Sequence, residues 1–148
     1  MSEHCVTLNW NRESEDFTYK NYNRSHEWDF GHGTVVKASA AKDYLGDEEL
    51  VDPEQSFVAS LSACHMLTFL AIASQKKFVV DSYKDDAVGI LAKNEQGKMA
   101  ITEVKLHPHI VFSGDNQPSA DDLAKLHDAA HHNCFIANSV TTKVTVEA

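Results

Sequence analysis

Asp52-Pro53-Glu54-Gln55-Ser56-Phe57-Val58-Ala59-Ser60-Leu61-Ser62-Ala63-Cys64-His65-Met66 opens as a capped helix and then becomes almost wholly apolar. Asp52 suits an N-cap, Pro53 the first helical position, and Gln55 can close a capping box. No formal charge appears from Phe57 to Ala73, so the helix, running to about Gln75, reads as buried on most sides. One thiol, Cys64, lies in the middle of that run. A cysteine in such a place is either a small core hydrophobe or a nucleophile kept from bulk water.

Outward from this helix the chain alternates. Cys5–Trp10 and Phe17–Tyr22 read as two strands around the polar turn Asn11–Asp16, and Thr34–Ala40 as a third after Gly31-His32-Gly33. A loop with Gly46-Asp47-Glu48-Glu49 leads into the helix. Beyond it, Ser82–Lys93 and Met99–Phe112 form a hairpin around Asn94-Glu95-Gln96-Gly97. Ser119 caps a second helix from Ala120 to about His131, with Asp121 and Asp122 in its first turn. Val140–Val146 alternates as a last strand. The order is βββ-α-ββ-α-β, an α+β class with a mostly antiparallel sheet. Residues 1–148 are expected to form a single domain, with no repeat or linker.

Composition removes some function classes. A formal net charge of -9 with only 13 basic residues argues against nucleic acid or an anionic membrane as partner. Met1-Ser2-Glu3-His4 lacks the charged and apolar regions of a secretory leader. The apolar run is short for a membrane span and carries Ser60, Ser62, His65 and Thr68, so a core helix is expected. Three cysteines do not make a secreted disulfide framework, and a reducing, cytoplasmic location is expected.

Cys64 and Cys134 are the candidates for chemistry. Cys134 sits in His131-His132-Asn133-Cys134-Phe135-Ile136-Ala137-Asn138, where the second helix ends. If the two thiols meet, they can form a disulfide closing a long loop. Cys5 is a bystander. A reactive thiol must be a thiolate, and a free cysteine at a pKa of about 8.5 needs a positive charge nearby. Cys64 is too deep in its helix to feel the N-terminal dipole. The chain has two arginines, Arg12 and Arg24. Arg24, in Tyr22-Asn23-Arg24-Ser25-His26-Glu27-Trp28, lies among aromatics that can hold and aim it. A solvated surface arginine is the plainer alternative. The histidines permit a metal reading: His127, His131 and Cys134 follow H-x3-H-x2-C, the first two on one helical face, with His107 and His109 as further donors.

Taken together, Asp52-Pro53-Glu54-Gln55, Cys64 ten residues after Glu54, Cys134 near the C-terminus and the element order resemble the OsmC/Ohr family over nearly the whole chain. Cys64-His65-Met66 and Arg24-Ser25-His26 resemble a less studied branch of it. The resemblance implies a thiol-dependent peroxidase for organic hydroperoxides, working without metal or organic cofactor and regenerated by an external dithiol reductant. It makes Cys64 the peroxidatic thiol and Cys134 the resolving one. It matches Glu54 to the family's glutamate and Arg24, which precedes it by thirty residues, to the family's arginine. Glu54 would then hold the guanidinium by a bidentate pair. Phe135 stands where many members have proline after the second cysteine.

Geometry adds an expectation. Glu54 and Cys64 are ten residues apart on one helix, hence about 15 Å along its axis, too far to share one small site. A second chain can bring its Glu54 and Arg24 over the first chain's Cys64, so an intertwined homodimer is expected. Two alternatives stay open: a binding protein of this fold for an apolar ligand, with Cys64 inert, and a metal-binding protein using His127, His131 and Cys134.

Overall fold

The N-terminal sheet is a three-stranded antiparallel meander of β1 (Thr7–Asn9), β2 (His26–Asp29) and β3 (Val35–Ala38). The computed structural model that provides it describes residues 1–147. Residues 1–56 form one compact unit, and a second unit begins at Phe57. The tight turn between β2 and β3 falls on Gly31, His32 and Gly33, all with positive φ. Asp29 holds it by accepting the Gly31 N–H at 2.8 Å.

The expected strand at Phe17–Tyr22 is a turn instead. Asp16 accepts the Thr18 hydroxyl at 2.9 Å and the Asn21 amide at 2.8 Å, and the Asn21 and Tyr22 N–H groups bond back to Thr18. Such side-chain bonds outcompete a strand ladder. The alternating aromatics there serve a local cluster, Phe17 lying 5.0 Å from Tyr22 and 6.0 Å from Trp10, centroid to centroid. The strand that pairs with β1 is β2, which begins at His26. After β3, the chain doubles back so closely that Gly46 lies against the Ala40 carbonyl. A Cβ added there would sit 1.6 Å from that oxygen.

Helix α1 (Pro53–Gln75) has the expected capping box: Asp52 accepts the Gln55 N–H at 2.8 Å, and Gln55 accepts the Asp52 N–H at 3.1 Å. It ends in a Schellman motif with Lys77 at the left-handed position (φ 62°). The Phe78 N–H reaches Ala73 O and the Lys77 N–H reaches Ser74 O.

In the second unit the two long strands expected from the sequence each break into two. Ser82–Lys93 belongs to β4 (Val79–Asp85) and β5 (Val88–Lys93). Met99–Phe112 belongs to β6 (Met99–Leu106) and β7 (Pro108–Ser113). β4 pairs with β7, and β5 with β6, each antiparallel and each with a bulge. The carboxylate of Asp85 fixes the break by accepting the His107 N–H at 2.6 Å and the Ser62 hydroxyl at 2.5 Å. Pro108 follows and brings no N–H of its own. Helix α2 (Ala120–Asn133) starts at a Ser119–Asp122 capping box, and β8 (Lys143–Val146) then adds to β6 in parallel.

Helix α1 buries one stripe, Leu61, His65, Phe69 and Ala73, spaced i, i+4. Leu61 packs with Val104 and Leu106 of β6. Phe69 and Ala73 pack with Leu126 and Ala130 of α2. The opposite stripe, Ala59, Ala63, Leu67 and Ala71, is exposed in the single chain. Burial on most sides, as read from the sequence, is therefore not reached within one chain.

Between the two apolar contacts lies a pair of histidines. His65, 1% exposed, stacks on His127 of α2 at 5.3 Å and 11°, with Nε2 and Nδ1 3.0 Å apart. Among the described residues His65 Nδ1 has no hydrogen-bond partner. Burial, then the positive charge that His127 and His131 would carry, pushes the His65 pKa down to about 4, with Asp85 opposing weakly. Burial also lowers His127, against Asp128 and Asp85. Both shifts favour the neutral form of the pair.

Replacing Gly46 by alanine should cost about 3 kcal/mol, or prevent folding, because the new atom meets backbone that cannot rotate away; urea denaturation measures it. The buried histidine gives a pH signature. As pH falls, the unfolded chain protonates His65 near 6.5 while the folded chain resists to about 4. Its contribution is therefore complete above the unfolded value and drains away as pH falls to about 4. The amount is on the order of 3 kcal/mol. Urea midpoints across this range should show the slope in wild type and a much flatter one in His65→Leu.

Candidate functional site

The two thiols named from the sequence meet. Cys64 is half-buried, midway along α1, and Cys134 is buried as the C-cap residue of α2. Both are free, and they are hydrogen-bond neighbours. Cys5 is exposed.

The local backbone explains how the sulfurs are held. α2 stops at Asn133, Cys134 turns extended, and a single 3-10 turn follows at Ala137–Ser139. The amides at the start of such a turn have no carbonyl partner within it. Here they point at sulfur. The Ala137 N–H reaches Cys134 Sγ at 3.4 Å, and the Ile136 and Phe135 amides lie near enough to Cys64 to lower its pKa. Three successive amides thus act on the two sulfurs.

The two thiols are pushed apart in acidity. Burial acts to raise Cys64, but the hydrogen bond from Cys134 and the Ile136 and Phe135 amides outweigh it and leave Cys64 below the ordinary thiol range. Burial raises Cys134, as does the hydrogen bond it shares with Cys64, against the Ala137 amide. Of the pair, Cys64 is the more acidic thiol and Cys134 the less acidic one. These amides, unlike the side-chain cation expected from the sequence, have no side-chain signature. Only the helix-ending signals around Asn133 hinted at free N–H groups there.

Arg24 belongs to the first unit and is held tightly. Its guanidinium lies 3.7 Å over the Tyr22 ring and 5.1 Å from Tyr19, donates from Nη1 to the Tyr22 carbonyl at 2.6 Å, and from Nη2 to that of Tyr19. It borders an open, mostly apolar cavity of about 380 Å³, lined also by Trp10, Phe17, Tyr22, His26 and Pro53. Arg12, the other arginine, bonds to the carbonyls of Ser14 and Glu15 within its own loop. Glu54 stands in the first turn of α1. Among the described residues it makes no ion pair with Arg24, so the bidentate grip expected from the sequence is not formed within one chain.

The histidine donors are engaged elsewhere. His127 Nδ1 faces His65, and His107 Nδ1 lies 3.0 Å from the Asp86 carbonyl. Cys134 Sγ takes the Ala137 amide. Among the described residues no group of three His, Cys, Asp or Glu side chains is placed to hold a metal ion, and His127, His131 and Cys134 do not come together as one.

Known proteins match this chain. Residues 46–148 match the family model described as OsmC-like protein. An OsmC-like protein of unknown function from Vibrio cholerae has a solved structure that is 50% identical, covers 99% of each chain and superposes with a TM-score of 0.95. An uncharacterized protein of Acinetobacter baylyi is 32% identical over 115 residues, covering 76% of this chain and 74% of that protein. The organic hydroperoxide resistance protein OhrB of Bacillus subtilis shares the fold, with a TM-score of 0.68 at 19% identity over 97% of this chain and 95% of that one. By its family match and by the two-helix α+β fold it shares with these relatives, the chain belongs to the OsmC-like protein family.

Proposed function

We propose that the protein is a thiol-dependent peroxidase that reduces organic hydroperoxides to alcohols. The observation that carries this reading is the contact between Cys64 and Cys134, in which one thiol is made more acidic and the other less. That is the arrangement a nucleophile and its resolving partner require. Cys64 Sγ attacks the distal peroxide oxygen. An S–O bond forms as the O–O bond breaks, and the electron pair leaves with the alkoxide, which takes a proton to become the alcohol. Cys64 is then a sulfenic acid. The Cys134 sulfur displaces its oxygen as water, the thiol proton leaving with it, and a disulfide remains. An external dithiol returns two electrons and two protons, as the reducing cytoplasm could supply.

Further roles are part of the same proposal. Arg24 polarises the O–O bond and adds to the stabilisation of the thiolate. Glu54 takes guanidinium donors that the tyrosine carbonyls leave free. Both act across a homodimer, because the separation of Glu54 and Cys64 along α1, about 15 Å, is too large for one small site. The exposed apolar stripe Ala59, Ala63, Leu67 and Ala71 supports such an assembly. Phe135, 81% exposed next to Cys134, favours an apolar substrate. The aromatic cavity beside Arg24 favours the second reading, a binding protein for an apolar ligand.

Stopped-flow oxidation of the reduced protein separates the two. The peroxidase should react faster with alkyl hydroperoxides than with hydrogen peroxide, each buried CH₂ contributing up to about 0.8 kcal/mol. Cys64→Ser should abolish peroxide consumption. Cys134→Ser should react once and then over-oxidise under excess peroxide. Wild type that consumes no peroxide and resists alkylation at Cys64 would leave the binding reading. The dimer makes a separate prediction. Cys64→Ser is expected to be inactive and Arg24→Met slow, yet mixing them under subunit exchange should raise activity well above either alone, since one heterodimer site keeps both residues. No recovery despite verified exchange would mean that the two residues act within one chain.

A further inference from the structure

We propose that His26 is a positioning residue for Arg24, its neutral Nδ1–H imidazole tying the central strand of the N-terminal sheet to the backbone that presents the guanidinium. This rests on the role proposed above for Arg24. The Trp28 indole N–H lies 2.8 Å from His26 Nε2. An indole can only donate, so Nε2 must accept and carries no proton. A neutral imidazole then has its proton on Nδ1, which lies 2.7 Å from the Arg24 carbonyl and donates to it. Two neighbours thus dictate one tautomer, without any assumption about the ring.

The tether is anchored where the sheet is firmest. His26 and Trp28 are i and i+2 on β2, on one face of the strand. β2 is paired on both sides, Trp28 standing opposite Leu8 and Val36, and His26 opposite the fully buried Ala38. The arginine loop is otherwise held by bonds inside itself. The Trp10 indole donates to the Asn23 carbonyl at 2.8 Å, and the Asn23 side chain bonds to Glu13 and Asn11. Those bonds make the loop rigid as a body, and the His26 bond fixes that body to the sheet. Because Arg24 grips the carbonyls of Tyr22 and Tyr19, a shift of its backbone moves the guanidinium and its aromatic bed together.

The test has two arms. Long-range proton–nitrogen NMR of the folded protein should show His26 as the Nδ1–H tautomer at neutral pH; the Nε2–H form or an imidazolium would overturn the proposal. In the kinetic arm, His26→Phe should slow oxidation of reduced Cys64 by an alkyl hydroperoxide by about fivefold to tenfold, the worth of one neutral hydrogen bond. His26→Asn, whose amide can still donate to the Arg24 carbonyl, should recover most of that loss. In an Arg24→Met background His26→Phe should have no further effect, because the histidine acts through the arginine. If Arg24→Met is slow but His26→Phe matches wild type, or if the two losses multiply, the tether is overturned and the peroxidase reading stands. If Arg24→Met matches wild type, the reading of Arg24 falls and takes the tether with it. Should His26→Phe fail to fold, His26→Asn and the NMR tautomer decide: loss of the full effect in His26→Asn counts against the tether.

Discussion

The stripe Leu61, His65, Phe69 and Ala73 governs where everything in the second unit can go. It gives α1 one face that must be covered, and two different partners cover it, β6 at Leu61 and α2 at Phe69 and Ala73. Cys64 is one residue off this stripe, about 100° around the helix, so its thiol emerges at the edge of the buried face. Docking of α2 by Leu126, His127 and Ala130 then sets where its last turn ends. Cys134 is seven residues beyond His127, two helical turns, and it comes to rest against Cys64. The site is a consequence of core packing.

At the cysteine pair the groups that lower the Cys64 pKa include backbone amides. Amides at the end of α2 need no ordering of a long side chain and carry no net charge, so they stabilise a thiolate with little desolvation cost. In the N-terminal unit the Arg24 guanidinium is held by the carbonyls of Tyr22 and Tyr19 and by the Tyr22 ring face, all neutral groups.

Much of this was legible in the chain because it is local. Asp52 with Gln55, Ser119 with its first-turn carboxylates, and Gly97 in its hairpin are short-range signals, and each appears where the sequence pointed. The pairing of Cys64 with Cys134 was legible as a possibility. The misreadings come from hydrogen bonds that an alternation pattern does not encode. Asp16 turned an alternating run into a loop, and Asp85 cut two long strands into four by reaching His107, twenty-two residues away. The His26–Asp29 strand shows no clear apolar alternation, its histidine and tryptophan being partnered with each other. The amides that acidify Cys64 belong to Phe135 and Ile136, whose side chains say nothing about them.

The meeting of two sulfurs seventy residues apart also links oxidation to folding. A bond between them would close a long loop in the unfolded chain, and chain entropy alone would then favour the folded state by about 4 kcal/mol. The same cycle runs in the other direction. Whatever the bond adds to the fold, the fold adds to the bond, so the native chain holds its disulfide against reduction more firmly than the unfolded chain would. A reductant that opens such a bond in the native chain must therefore be stronger than one that suffices for an unstructured dithiol, and heat or denaturant would release that advantage.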